Sequence, residues 1–301
     1  MLNKSFFILL LCFFSSVSYA TVITNPQTCN VINSQLTSIT SVLDVNNPKA
    51  ELLTSQYNAT SCVGVFTGAN DDPLSSPLLN IGQLGEGLLN GGNDFFTGME
   101  FIEASDLQDV DGIGGNNDPG WIRLAHFDAG NSGNAASGIT YDTAGPIANN
   151  LAYPALTLDI GDLLTLALTC TNGGLGDCKQ LDWTLTTDIS IIPTVQQLLG
   201  NASFDHLAFS VKAGNGFAVY DFNFNDIFDN EPLLNFETPY ILGGSISTND
   251  FINNPNSFAG ISHLNVWARD PANNSTQVPE PSSFLIFLLG VIGLATRQFK
   301  K

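Results

Sequence analysis

The stretch DHLAFSVKAGNGFAVYDFN, residues 205–223, has the pattern of a β-hairpin. Apolar and polar residues alternate along 206–212 and again along 217–223, which is the period of a strand with one buried face. The two runs are joined by Ala213-Gly214-Asn215-Gly216, and Asn-Gly is the strongest short-range signal for a tight hairpin turn. This hairpin predicts antiparallel β-structure at the centre of the fold.

Further strand-like runs flank the hairpin on both sides, separated by Gly, Asn and Asp and without strong helical patterns between them. They occupy residues 62–67, 121–127, 156–160, 163–171, 181–187 and 260–269. Only residues 31–45 show a weak helical rhythm, and their β-branched content leaves their structure open. The pattern predicts one all-β domain over residues 21–269. We expect an antiparallel β-sandwich of the jelly-roll or lectin-like kind, with long Gly/Asn/Asp-rich loops.

The chain is acidic, with a formal net charge of −19 over 301 residues and only 12 % charged residues. An acidic surface repels phosphate backbones, so we expect no nucleic-acid partner. Divalent cations or a hydrated polysaccharide matrix are better suited to this charge. Solubility alone is an equally good explanation.

Residues 1–20 have the order of a secretory signal peptide. Lys4 precedes an apolar run over residues 6–14, and the small residues Ser18 and Ala20 predict cleavage by signal peptidase between Ala20 and Thr21. An uncleaved anchor is the alternative, but the run is shorter than the ~20 apolar residues that span a bilayer. The sequence therefore predicts export.

The C-terminus holds a second apolar stretch, predicted as a short membrane helix over residues 284–296 and followed by Arg297, Lys300 and Lys301. Pro279-Glu280-Pro281 stands just before it, after a polar linker at residues 270–278. Prolines on both sides of the glutamate favour an extended, exposed peptide. The basic residues favour the cytoplasmic side, so the domain would face outward during a transient insertion into the inner membrane.

This order resembles the PEP-CTERM sorting signal, in which Pro-Glu-Pro precedes a short hydrophobic helix and a basic tail. The resemblance covers residues 278–301; its one departure is that Gln298 and Phe299 split the basic residues. It implies cleavage by exosortase, a membrane-embedded protease of Gram-negative bacteria, near Pro279, Glu280 and Pro281. It also implies release or transfer to the cell surface or to an exopolysaccharide-rich biofilm matrix. The alternative is a plain C-terminal anchor that is never cut.

Four cysteines remain once Cys12 leaves with the signal peptide, and an exported chain favours disulfide bonds. Cys170 and Cys178 bracket a turn-rich loop, which favours a local bridge and leaves Cys29 with Cys62. Two other pairings are formally possible. A zinc site is disfavoured, because there is no Cys-x-x-Cys spacing and no nearby histidine.

An acidic loop is the candidate metal site, with oxygen ligands that suit calcium: Asp106, Asp109, Asp111, Asn116 and Asp118. Asp-x-Asp-Gly resembles part of a calcium loop, but the remaining positions of an EF-hand are missing. A solvated acidic turn explains the same residues. No other cofactor is indicated.

Catalysis is not indicated by the sequence. Each of the three histidines, His126, His206 and His263, lies in a strand-like run, and no nucleophile elbow or His-Glu-x-x-His motif occurs. Asp205-His206 places an acid beside an imidazole, but neighbours in sequence are not a catalytic triad. Among the tryptophans, Trp121 is the candidate for stacking against a sugar ring, although a place in the core is the ordinary expectation for all three.

We therefore expect a non-catalytic exported protein of the cell surface or extracellular matrix. Two alternatives stay open at this point. One is a carbohydrate-binding, adhesin-like module that calcium stabilises. The other is a secreted polysaccharide hydrolase with paired carboxylates.

Overall fold

The computed structural model describes residues 28–42, 51–67, 80–110, 115–130, 138–144, 158–174, 177–188, 190, 204–236, 238–254 and 257–269. The strands, in chain order, are β1 (Ser34–Ser41), β2 (Tyr57–Asn58), β3 (Ser61–Thr67), β4 (Trp121–Asp128), β5 (Gly138–Tyr141), β6 (Thr143–Ala144), β7 (Leu158–Asp159), β8 (Leu164–Asn172), β9 (Gln180–Thr187), β10 (His206–Ala213), β11 (Gly216–Asn223), β12 (Tyr240–Ser247), β13 (Ile252–Asn254), β14 (Ser257–Phe258) and β15 (Ile261–Arg269). The short helices are α1 (Ile160–Leu163) and α2 (Phe224–Phe228), and 3₁₀ turns occur at Val31–Asn33, Leu88–Asn90 and Ala104–Asp106.

Two antiparallel sheets form the sandwich, as the strand pattern predicts. The first has five strands in the order β2-β1-β12-β9-β8, and the second has six in the order β3-β11-β10-β15-β4-β5. Together they exceed the eight strands of a jelly roll. Two small ladders, β6-β7 and β13-β14, lie outside these sheets.

The predicted hairpin is β10-β11, and it lies in the second sheet. Its register runs without a shift from His206 opposite Asn223 to Ala213 opposite Gly216. β15 pairs with the other edge of β10, and β3 pairs with the other edge of β11. The hairpin therefore has neighbours on both sides, and most of its residues are buried.

The main core lies between the two sheets, where alternate residues of facing strands meet. Its members include Leu36, Ile39, Leu166 and Trp183 from the first sheet and Phe209, Val211, Tyr220 and Leu264 from the second. Trp183 and Phe209 pack with ring centroids 4.7 Å apart. Such aromatic contacts add to the stabilisation that comes from burying apolar area.

In the segment 31–45, whose structure the sequence left open, the described residues form a 3₁₀ turn followed by strand β1. The Asn30 side chain caps the turn by accepting a hydrogen bond from the Ile32 amide. Leu36 and Ile39 then face the main core. Burial of these branched side chains between the sheets favours strand over helix.

Both disulfide bonds have the pairing that the sequence favours, Cys29–Cys62 and Cys170–Cys178. Cys62 lies on β3, so the first bond ties the chain before β1 to the edge of the second sheet. The second bond closes the loop between β8 and β9. An isolated bridge from Cys178 to Ile261 joins this loop to β15 in the second sheet.

The Gly/Asn/Asp-rich segment over residues 80–110 and 115–120 packs on the outer face of the second sheet, and we call it the cover. Its buried Leu88, Leu89, Phe96 and Ile102 contribute to a second core cluster. The sheet side of this cluster is formed by Phe66, Trp121, Ala208, Phe217, Val219 and Trp267. The second sheet is thus apolar on both faces over part of its length.

Candidate functional site

The cover contains little regular structure, and polar side chains supply many of its hydrogen bonds. Asn90 is fully buried; its Nδ2 donates to the Trp121 carbonyl oxygen at 2.7 Å and its Oδ1 accepts from the Trp121 amide at 3.1 Å. Asn80 bonds to the amide and carbonyl of Arg123 in the same way. Each asparagine therefore acts as a short substitute for a neighbouring strand along β4.

Glu86 organises the first turn of the cover. One of its carboxylate oxygens, Oε2, accepts hydrogen bonds from the amides of Ile81, Gly82 and Gln83 at 2.8–3.0 Å. Burial raises the pKa of Glu86, although these three amides oppose the shift. The acid has a structural function, because its charge is committed to the backbone of its own loop.

Asp118, one of the candidate calcium ligands, is buried and committed to the backbone. Its Oδ1 accepts from the Leu84 amide and its Oδ2 from the Val110 amide, both at 2.9 Å. Asp106 likewise accepts from the Glu103 amide through Oδ2. These bonds leave each carboxylate with less capacity to bind a cation.

The remaining candidate ligands do not join them in a cluster that the structure shows. Asp109 and Asn116 are exposed, and Asp111 lies outside the described residues. Across the parts of the chain that the structure describes, no group of three or more His, Cys, Asp or Glu side chains is arranged to hold a metal ion. Calcium binding at this loop stays a prediction.

Trp121 is 1 % exposed, which argues against its predicted use as a platform for a sugar ring. Its indole packs edge-on against Phe101 and His206, with ring centroids at 6.2 and 5.6 Å. Exposing the Trp121 indole would require the cover to detach from the sheet. Detachment would also expose the cover's large apolar side chains, and the burial of each contributes about 1.5–3 kcal/mol. Lifting Leu88, Leu89 and Phe96 together would cost a large part of a domain's stability. Trp183 and Trp267 are also buried, so the core interpretation holds for all three.

A buried ion pair closes the end of β15. Arg269 is 1 % exposed, and its Nη1 donates to Asp205 Oδ2 just before β10. Its Nε donates to the Pro119 carbonyl at 3.0 Å, and its Nη2 donates to the Asp106 carbonyl. One side chain thus joins β15, the start of β10 and two points of the cover.

A second buried ion pair lies next to it. His206 Nδ1 is 3.0 Å from both carboxylate oxygens of Asp221, and both side chains are at most 4 % exposed. Thr60 Oγ1 contacts Asp221 Oδ2 at 3.4 Å. Burial alone would lower the pKa of His206, but the hydrogen bond and negative charge of Asp221 outweigh it, so the pKa of His206 is raised.

The acid that pairs with His206 is not Asp205, its neighbour in the sequence. Asp205 pairs with Arg269, whereas His206 pairs with Asp221 on the adjacent strand. The hairpin register offered a signal, because it sets Ala208 opposite Asp221 and so places Asp221 diagonally from His206 on one sheet face. The described side-chain contacts of His206 are to Asp221 and Trp121, and neither is a hydroxyl or thiol that the imidazole could activate.

The other two histidines lie together on β4 and β15. The rings of His126 and His263 have centroids 5.6 Å apart. His126 Nδ1 is 2.7 Å from Asn265 Oδ1, and His263 Nε2 is 3.6 Å from Asp128 Oδ1. Both are partly exposed and held by neighbouring strands, as the sequence interpretation expects for structural histidines.

The predicted processing positions, Ala20, Thr21, Pro279, Glu280 and Pro281, and the predicted membrane helix at 284–296 lie outside the described residues. Within the described ranges, which end at Arg269, none of the helices combines the length and apolar character that crossing a membrane requires. The structure therefore describes the body of the domain, while the sequence carries the sorting information.

The fold defines a class: an all-β sandwich with two disulfide bonds, a construction suited to an oxidising compartment. The C-terminus is more specific, because the PEP-CTERM protein-sorting motif matches residues 277–301. The motif indicates an extracellular protein that exosortase sorts to the cell surface of a Gram-negative bacterium. No curated protein and no solved structure matches the chain.

Proposed function

We propose that the protein is a non-catalytic component of the cell surface or extracellular matrix, where it associates with exopolysaccharide. The observation that carries the proposal is the sorting motif at residues 277–301, which supplies the route to the outer surface. On this route signal peptidase cuts between Ala20 and Thr21. The apolar segment at 284–296 inserts transiently in the inner membrane, and exosortase cuts near Pro279-Glu280-Pro281.

The polar groups of the domain support a structural role. Buried His206 and Asp205 are each paired with a charged partner, and the carboxylates of Glu86 and Asp118 bind backbone amides. A hydrolase would need two carboxyl groups facing a cleft that a sugar chain can enter. These acids instead bind charged side chains or backbone amides within the fold.

The outer face of the first sheet supports contact with a hydroxyl-rich polymer. Thr165 and Thr169 on β8 and Thr184 on β9 are exposed, and they surround exposed Ala167, which is paired with Thr184. Side chains on one face recur about 7 Å apart along a strand and about 5 Å apart across strands. This array of hydroxyl groups can exchange hydrogen bonds with sugar hydroxyls.

The sorting step is tested with the double variant Pro279→Ala/Pro281→Ala in the full chain. A more flexible peptide around Glu280 should escape cleavage, so mass spectrometry should find the protein retained in membranes with Lys301 still attached. Pro271→Ala, in the linker, is the matched control and should be processed normally. Normal processing of the double variant would contradict the sorting mechanism.

Association with exopolysaccharide is tested separately, by co-sedimentation of the exported protein with exopolysaccharide from its host. We expect retention in the pellet, weakened several-fold by Thr165→Val/Thr169→Val/Thr184→Val, which removes the hydroxyls and keeps strand-forming side chains. Thr140→Val, at an exposed position of the second sheet, is the control. A protein that stays in the supernatant would refute matrix association, and release of new reducing ends from the glycan would refute the non-catalytic assignment.

A further inference from the structure

The two buried ion pairs meet where the described part of the domain ends. Arg269 is the last residue of β15, and it is paired in register with His206 of β10 on one side and with Trp121 of β4 on the other. Asp205, which binds its guanidinium, immediately precedes His206 in the chain. The four charged side chains therefore form one cluster, which we call the clasp: Asp205, His206, Asp221 and Arg269.

Neighbouring parts of the fold contribute groups that limit the exposure of the clasp to water. The cover supplies the carbonyls of Asp106 and Pro119, β4 supplies the Trp121 ring, and Thr60 lies against Asp221. Among the described residues, the Asp106 carboxylate also acts on Asp205. Charges shielded in this way interact strongly, because little water screens them.

The charge balance of the clasp depends on one proton. With His206 protonated, two cations face the two carboxylates of Asp205 and Asp221. With His206 neutral, Arg269 alone faces both carboxylates, and Asp221 loses the cation to which it is hydrogen-bonded. A buried carboxylate without a charged partner strongly disfavours the folded state.

We propose that the clasp is a pH-sensitive fastening that holds the end of β15, and with it the cover, firmly while His206 is protonated and loosens when His206 loses its proton. The fastening acts at the residue from which the chain continues toward its sorting motif. The clasp would act in this way whether or not the protein binds exopolysaccharide.

The direction of the pH effect follows from proton binding. The pKa of His206 is raised above its ordinary value of 6.5 in the folded state, because Asp221 and Asp205 outweigh the effect of burial. The folded protein therefore binds this proton more tightly than the unfolded chain does. Its contribution to stability is complete below about pH 6.5 and is lost as the pH rises through the folded-state pKa.

The test is chemical denaturation of the exported protein between pH 6 and pH 9. Above about pH 6.5 the unfolding equilibrium constant of the wild type should rise by up to tenfold per pH unit, since one proton is released on unfolding. Fluorescence should report the same transition, because Trp121 packs against His206. His206→Gln cannot bind the proton and should remove the dependence, whereas His126→Gln, at a partly exposed histidine, should keep it.

Asp221→Asn is the second variant, and it decides the outcome if His206→Gln does not fold. Without the Asp221 carboxylate the clasp is balanced when His206 is neutral, so the pH dependence should vanish or change sign. The proposal is overturned if His206→Gln or Asp221→Asn keeps the wild-type dependence. It is also overturned if His126→Gln abolishes that dependence.

Discussion

The side chain of Asn90 binds both the amide and the carbonyl of Trp121, so that a single amide group completes the hydrogen bonding of the first residue of β4. Asn90 is fully buried, and Trp121 is 1 % exposed. The contact links the cover to the second sheet beside the buried Trp121 ring, which belongs to the second core cluster.

Replacing Asn90 by alanine should leave both Trp121 backbone groups buried without this partner. Each such group costs about 1–3 kcal/mol, so we expect the free energy of unfolding to fall by about 2–6 kcal/mol. Urea denaturation measures the loss. Asn116→Ala, at an exposed asparagine of the cover, should change stability by less than about 0.5 kcal/mol. Equal effects of the two variants would show that the cover is not fastened through Asn90.

Gly82 and Gly85 form a matched pair for testing how closely the two segments of the cover approach each other just before β4. Both have left-handed backbones, with φ of 87° and 85°. A Cβ on Gly82 would lie 2.6 Å from the Gly120 carbonyl carbon, whereas a Cβ on Gly85 would meet nothing within 4 Å. Gly85→Ala should therefore cost only the backbone strain, about 1–2 kcal/mol. Gly82→Ala should cost about 1–3 kcal/mol more, because backbone would have to move.

Thermal melting of the two glycine variants at one pH is sufficient for this comparison. The melting temperature should fall further for Gly82→Ala than for Gly85→Ala. Similar shifts would mean that the approach of Gly82 to Gly120 is looser than the 2.6 Å separation implies.

The two disulfide bonds should differ in their contribution to stability, because they close loops of different length. The paired cysteines are 33 residues apart in Cys29–Cys62 and 8 apart in Cys170–Cys178. Chain entropy predicts a stabilisation of about 4 kcal/mol for the longer loop and about 2.5 kcal/mol for the shorter one. Cys29→Ser/Cys62→Ser should thus lower the urea midpoint more than Cys170→Ser/Cys178→Ser. The reverse order would show that the link near Ile261 outweighs chain entropy.

The strands of the sandwich could be predicted because their signal is local. Alternation along 206–212 and 217–223, with Asn-Gly between them, fixes both the hairpin and its register. The tight loop between Cys170 and Cys178 likewise favours its own disulfide bond. In these places the decisive interactions lie within about twenty residues of each other.

The cover could not be predicted, because its order comes from distant partners. Asn90 and Trp121 are 31 residues apart, and Arg269 and Asp106 are 163 apart. No periodic pattern in residues 80–110 announces these contacts, and the same acids resemble a calcium loop when the sequence is considered alone. The burial of Trp121 depends on the cover, so its candidate role in sugar stacking could not be judged from β4 by itself.

The position of Arg269 sets a geometric limit on proteolysis. Nine residues, 270–278, separate Arg269 from Pro279. Because a chain extends by at most ~3.6 Å per residue, Pro279 lies within about 35 Å of the end of β15. A protease that cuts near Pro279 must therefore bind its substrate with a folded domain close to the cleavage site. Lengthening the segment 270–278 should therefore ease cleavage by any enzyme whose active site the folded domain would otherwise obstruct.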